Sequence, residues 1–465
     1  MACITPKYFV LLAMADLAWA QTGPAQFVSV NEPVIALTHV RVIDGTGAAP
    51  REDQLLVIDH GKIRLPRTVP AGAKVMDLAG QTVIPGLVGM HEHLFYPSGN
   101  GVPIYGENAV SFPRLYLACG ITTMRTAGSL EPYTDLEVKR GIESGKLVGP
   151  HMDVTGPYLE GPGSFALQMH QLSGPDDARK LVNYWADLGV TSFKAYMNIT
   201  SEELGAAIEE AHKRHIKVTG HLCSVDFREA AALGIDNLEH GLIVDTEFTP
   251  GRKPGVCPAQ AQTQAQMGKL DMNAAPVAET IRELVAHHVA ITSTLSVFEA
   301  MIPGRPPMEQ RVIEAMSPLA SESYAKAKSR GGDPAVRSIP MKKEMEFERT
   351  FVRAGGLLMG GADPTGNGGA LAGFGDQRNI ELLVEAGFSV EDAIRIYSLN
   401  GAEYMGMAAS IGSIAEGKNA DLVVLAGNPA QHVEDIRKVT TVFKDGVGYD
   451  SAKLIQSVSH MVGMH

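Results

Sequence analysis

The sequence predicts an α/β protein: a (β/α)8 TIM barrel carrying a small β-sandwich built from both termini. Three observations predict it. Eight short apolar strands alternate with helical stretches through the middle of the chain. The two ends share another style, extended pieces split by glycine turns. Histidine, lysine and aspartate recur where the middle strands end, as in a barrel whose strands deliver their polar residues to one mouth.

With 465 residues, 45% hydrophobic and 20% charged, the chain is long enough for a large barrel and a satellite. Its net charge of −12 offers no basic surface, so nucleic acid and other polyanions are excluded as partners. Residues 1–20 read as a cleavable signal: Lys7, an apolar stretch from Tyr8 to Trp19, then Ala18-Trp19-Ala20 as a small-x-small site. The expectation is an exported protein, periplasmic or secreted, with no membrane contact once the signal is removed, because no other run approaches the ~18 apolar residues of a span. Cys3 would leave with the signal. Cys119, Cys223 and Cys257 remain, an odd and sparse set that predicts no disulfide framework.

Taken in order, residues 26–82 form short extended pieces punctuated by Asp44-Gly45, His60-Gly61 and Ala79-Gly80. Residues 409–450 repeat that style, with IGSIAEG, NADLVVLAG and VTTVFKDG. Neither end closes a core alone, so the two are expected to share one sandwich, with a barrel over residues 83–408 inserted between them. The barrel strands are placed at 83–93, 119–128, 150–159, 190–197, 216–222, 237–242, 290–296 and 357–364. Thr200 with Glu203, and Ser389 with Asp392, open two of the intervening helices. Residues 301–343 exceed a plain strand-to-helix connection and are expected to add helices or a lid.

The first barrel strand, VIPGLVGMHEH, ends in His91 and His93, whose i, i+2 spacing turns both rings to one side. Lys194, His221, His240 and Asp363 occupy the ends of strands four, five, six and eight. Singly, each has an ordinary structural explanation; together, at matching strand ends, they form a metal-binding set of borderline N and O donors. The set suits Zn2+, replaceable by Mn2+ or Co2+.

The motifs VIDGTG, VIPGLVGMHEH, GITTMRTAG, FKAYM, VTGHL, NLEHG, GGADP, LNGAEYMG and IGSIAEGKNADLVVLAGNP span nearly the whole chain, and in them it resembles the amidohydrolase superfamily. Within that superfamily it is similar to imidazolonepropionase-like, prolidase-like and ochratoxinase-like members. The resemblance implies two metal ions per chain. His91, His93 and Asp363 would hold one, and His221 and His240 the other, with Lys194 carboxylated on its amine to bridge them. A bridging hydroxide would attack an amide, with Asp363 as proton acceptor. Deaminases of the superfamily place a glutamate shortly after the fifth-strand histidine; here the run is His221-Leu222-Cys223-Ser224-Val225-Asp226, which favours a binuclear amidase.

The expected activity is therefore cleavage of a dipeptide or N-acyl amino acid, including ochratoxin-type amides, with release of a C-terminal amino acid. The alternatives are a hydrolase of cyclic amides or lactones, and a non-catalytic scaffold on the same fold. Related barrels also imply a homo-oligomer. Candidates for contacting the small-molecule substrate are Tyr196, on the same strand face as Lys194, His151 and His170 at and beyond strand three, and Arg125 in TTMRTAG.

Overall fold

The computed structural model describes residues 23–98, 104–164, 166, 168–329, 331–365 and 370–464. The signal expected over residues 1–20 lies outside them. Among the described residues, eight parallel strands stand at the eight expected positions. They are β1 (Leu87–Glu92), β2 (Ile121–Thr126), β3 (His151–Asp153), β4 (Ser192–Ala195), β5 (Lys217–Gly220), β6 (Asn237–Glu239), β7 (Ala290–Ser293) and β8 (Leu358–Gly360). Residues of β1, β2 and β4 are buried on both faces, which explains their lack of strict alternation.

β1 to β3 pair as one sheet and β4 to β8 as another. The two meet at both edges. Gly156 N–H donates to Ser192 O at 2.9 Å beside a parallel Thr155–Ser192 bridge, and Asp363 N–H donates to His91 O at 3.0 Å. The strands therefore run round in order as a barrel. Beyond β8 the backbone comes so close to β1 that a Cβ at Gly361 would lie 2.4 Å from His91 N, which only glycine avoids.

Both predicted helix starts are capped. Thr200 Oγ1 accepts from Glu203 N–H at 3.2 Å while Glu203 Oε2 accepts from Thr200 N–H at 3.0 Å, opening the helix Ser201–Lys213. Ser389 Oγ accepts from Asp392 N–H at 3.0 Å ahead of Val390–Ile396. Each cap is worth ~1 kcal/mol.

The terminal pieces assemble into one nine-stranded sheet. Leu422–Leu425 pairs antiparallel with Thr82–Pro85 and joins the two ends of the chain, over a core that includes Ile35, Leu37, Leu56, Ile58, Val83, Leu422, Val424 and Phe443. The strand expected as one piece at 83–93 is thus two. Thr82–Pro85 belongs to the terminal sheet and Leu87–Glu92 to the barrel, with Gly86 N–H donating to Asp421 O at 2.7 Å at the crossing.

Residues 301–343 are largely helical, with Gln310–Ala315, Pro318–Lys328 and Pro334–Arg337 followed by the start of Ile339–Arg353. The chain's C-terminal end lies against them: Ser317 N–H donates to Val462 O at 2.8 Å and Val462 N–H to Ala315 O at 2.9 Å. Cys223 and Cys257, 34 residues apart, form a single disulfide, where the sparse cysteines had predicted no disulfide framework. The loop after β6 folds back over the end of β5, where Thr246 Oγ1 donates to Cys223 O at 2.7 Å, and this brings the two cysteines together. Cys119 is free and buried. No described helix is long and apolar enough to cross a membrane.

Candidate metal centre

The barrel mouth collects the strand-end residues into one buried cluster. One ligand atom each from His91, His93 and Asp363 lie within 4.8 Å of one another. Asp363 Oδ1 is 3.4 Å from His93 Nε2 and 3.7 Å from His91 Nε2, and its Oδ2 is 3.8 Å from His240 Nε2. Lys194 Nζ stands 3.0 Å from His91 Nε2, and the His221 ring lies 4.4 Å from that of His240, centroid to centroid. All six residues named from the strand ends are therefore brought together. His240 and Asp363 both adopt left-handed backbone, with φ of 69° and 45°, a conformation uncommon outside glycine and often held at functional sites.

Hydrogen bonds on the far side of the rings decide which nitrogen faces inward. Glu239 Oε2 accepts from His91 Nδ1 at 2.8 Å and Gly128 O accepts from His93 Nδ1 at 3.1 Å, so both Nε2 atoms present lone pairs to the cluster. His240 Nδ1 pairs with Thr294 Oγ1 at 2.7 Å, leaving Nε2 buried with no hydrogen-bond partner among the described residues. Thr365 Oγ1 donates to Asp363 Oδ1 at 2.6 Å and fixes that carboxylate.

Burial sets the charge states. It pushes His93 down to about 4 and His221 to about 3, and lowers His91 and His240 as well, so all four imidazoles are neutral near pH 7. Burial alone would raise Asp363, but the His91 ring, the His93 hydrogen bond and the His240 ring outweigh it and hold the carboxyl well below its usual range. Lys194, 1% exposed and without a carboxylate in ion-pair range among the described residues, is pushed by burial to about 8. Neutral imidazoles, an ionised carboxylate and an unpartnered buried nitrogen fit divalent cations.

The four residues expected to meet substrate divide. Tyr196 lines the mouth, its ring 5.0 Å from His221 and 4.9 Å from Tyr158. Arg125 does not reach the mouth. Its Nη2 donates to Glu239 Oε1 at 2.7 Å and to Met90 O, so it supports the carboxylate that orients His91. His151 begins β3, level with Thr123 of β2, and pairs with Asp445 at 2.9 Å near the end of the barrel opposite the mouth. His170 is exposed and paired with Asp177 at 3.1 Å, on a cavity of about 340 Å3 that shares Tyr158 with the mouth.

Sequence reasoning missed Glu239, although an acid beside His240 in NLEHG was a signal for it. It also missed the aromatic wall. Phe95 lies 4.5 Å from the His93 ring and Phe298 5.5 Å from that of His240, while Tyr158 lies 6.4 Å from His93.

A barrel with a histidine, aspartate and lysine cluster at its C-terminal mouth defines the class of metal-dependent barrel hydrolases. The chain belongs to the amidohydrolase family, which it matches over residues 82–447, and is a metal-dependent hydrolase acting on amide bonds. Among solved structures, a Xaa-Pro dipeptidase with methionine bound in its active site is similar at 20% identity and a TM-score of 0.66, over 90% of this chain and 100% of that one. A putative prolidase from Bifidobacterium longum is similar at 21% identity and 0.65, over 91% and 98%. Ochratoxinase from A. niger is similar at 18% identity and 0.65, over 90% and 95%. At these identities the likeness is one of fold. A dihydroorotase from Pelobacter propionicus is 36% identical over 120 residues, a match that spans 24% of this chain and 27% of that protein.

Proposed function

We propose that this chain is a binuclear metallohydrolase that cleaves the amide of a dipeptide or N-acyl amino acid and releases the C-terminal amino acid. The observation that carries the reading is Lys194: a buried amine set among neutral imidazoles, 3.0 Å from His91 Nε2, with no carboxylate partner within ion-pair range among the described residues. An ammonium has no place between two cations, whereas a neutral amine reacts with carbon dioxide to give a carbamate, an anion with two oxygens. His91, His93 and Asp363 would hold one ion, His221 and His240 the other, and carboxylated Lys194 both. Zn2+ suits these donors, with Mn2+ or Co2+ as substitutes. Bound divalent cations supply Lewis-acid polarisation of the amide carbonyl and activation of water at neutral pH.

The chain's own residues do the rest. Asp363, held ionised and fixed by Thr365, accepts the proton of the attacking water and returns it to the leaving nitrogen. Tyr196 and Tyr158 wall the mouth and orient the acyl side of the substrate, and the aromatic rings around the cluster limit bulk water. Glu239, held by Arg125, keeps His91 in the ligating tautomer. The similarity to prolidase-like and ochratoxinase structures supports the linear-amide reading. The dihydroorotase-like stretch favours the second reading, a hydrolase of cyclic amides or lactones. Release of amino acids from dipeptide and N-acyl amino acid libraries, set against ring opening of a cyclic-imide panel, separates the two. The disulfide Cys223–Cys257 supports export to an oxidising compartment, in keeping with the signal expected over residues 1–20.

A further inference from the structure

Away from the barrel mouth, a second cluster sits where the barrel meets the terminal sheet. His151 opens β3, Asp421 immediately precedes the strand Leu422–Leu425, and Asp445 lies in the turn between Val439–Lys444 and Val447–Asp450. One ligand atom from each lies within 4.8 Å of the other two. His151 Nε2 is 2.9 Å from Asp445 Oδ2, and Asp445 N–H donates to Asp421 Oδ1 at 2.8 Å, which orients that carboxylate. Asp445 is held at a φ of 52°, in the left-handed region, to make this turn.

Asp421 makes the cluster more than an ion pair. Its side chain is 4% exposed, and Oδ2 is buried with no hydrogen-bond partner among the described residues. Leaving a buried carboxylate oxygen unsatisfied is costly, a penalty that a ligand removes. Lys444 Nζ stands 3.8 Å from Asp445 Oδ2, beyond hydrogen-bond reach, so His151 Nε2 is the group that engages that oxygen, and an ion held by both would take the place of their direct contact. His151 and Asp445 are 34% and 50% exposed, so an ion can arrive from solvent and find one wall already built.

We propose that His151, Asp421 and Asp445 form a separate divalent transition-metal site that clamps the floor of the barrel to the terminal sheet. One imidazole and two carboxylates, with solvent completing the shell, suit Zn2+ or Co2+ better than the all-oxygen preference of Mg2+ or Ca2+. Its three donors come from segments far apart in sequence, so an ion bound there stabilises the folded chain without binding the unfolded one equally well.

The test is a difference in metal content. Wild type, Asp421→Asn and His151→Gln are loaded with excess Zn2+, desalted and counted by elemental analysis, with thermal melts before and after loading. The expected result is one ion fewer per chain in each variant and a smaller zinc-induced rise in Tm. Because the quantity is a difference, it holds whether the barrel mouth carries one ion or two. Equal metal content in wild type and His151→Gln, whose partly exposed position tolerates the change, would overturn the site and leave His151–Asp445 as an ion pair only.

Discussion

Glu239→Gln is the substitution that most separates a positioned metal ligand from a histidine that merely lies nearby. Glu239 is fully buried, with Oε2 accepting from His91 Nδ1 at 2.8 Å and Oε1 accepting from Arg125 at 2.7 Å and from Asn237 Nδ2 at 3.0 Å. Glutamine keeps the shape, but its NH2 must face either the His91 N–H or the Arg125 guanidinium, setting donor against donor. A lost hydrogen bond between charged groups is worth ~1.5–3 kcal/mol, and removing one partner of a buried charge pair costs ~3–5 kcal/mol. Loss of the partner that orients a ligating histidine lowers metal affinity by about 10- to 100-fold, or ~1.4–2.7 kcal/mol. Competition with a chelator reads the affinity and a thermal melt reads the fold. Adding Arg125→Met to Glu239→Gln should restore part of the stability, since no unpaired charge remains, without restoring metal affinity. Metal affinity within about twofold of wild type in Glu239→Gln would refute the argument, because orientation by a carboxylate is set at 10-fold or more.

Asp363→Asn should keep much of the bound metal but lower turnover ~100-fold or more across pH, by removing the proton acceptor; steady-state rates paired with metal counts check this. Lys194→Ala should retain fewer ions per chain and regain some activity with short carboxylic acids, which replace the bridging oxygens; no change in metal content would remove the bridge. In metal-free protein the imidazoles of His93 and His221, lowered to about 4 and about 3, stay neutral where the unfolded chain, near 6.5, takes up protons. The unfolded state then binds more protons below about pH 6.5, so stability should fall as pH drops from 7 toward 5. Melts of His221→Gln should show a shallower fall, and an equal slope would show that His221 is not the cause. Cys257→Ser opens a loop of 34 residues, for which chain entropy gives a loss of ~4 kcal/mol, measurable by denaturant unfolding.

The barrel and the centre of the site were legible because strand-end chemistry survives in linear sequence. His91 and His93 share a strand face by the period of two, and β1 announced itself as an apolar run ending in them. What was not legible depends on register or on long-range pairing. His151 stands at the start of β3, as it does in PHMDVTGPYL, and so faces the terminal sheet through Asp445, a long-range pairing that the local pattern does not encode. Arg125 meets Glu239 across 114 residues of chain, a contact that no local pattern encodes. The disulfide depended on how the loop after β6 folds back, and a count of cysteines says nothing about that. The split of the first strand at Gly86 was hidden because both halves are apolar and extended, although they belong to different sheets.

The most direct test of the central claim is metal content per chain on protein purified without chelator, counted in the His151→Gln background and paired with amino-acid release from dipeptides and N-acyl amino acids. About two ions per chain in that background, with release of one class of C-terminal amino acid, is the predicted result. One ion or none, with no amino acid released and cyclic amides opened instead, would contradict the binuclear amidase.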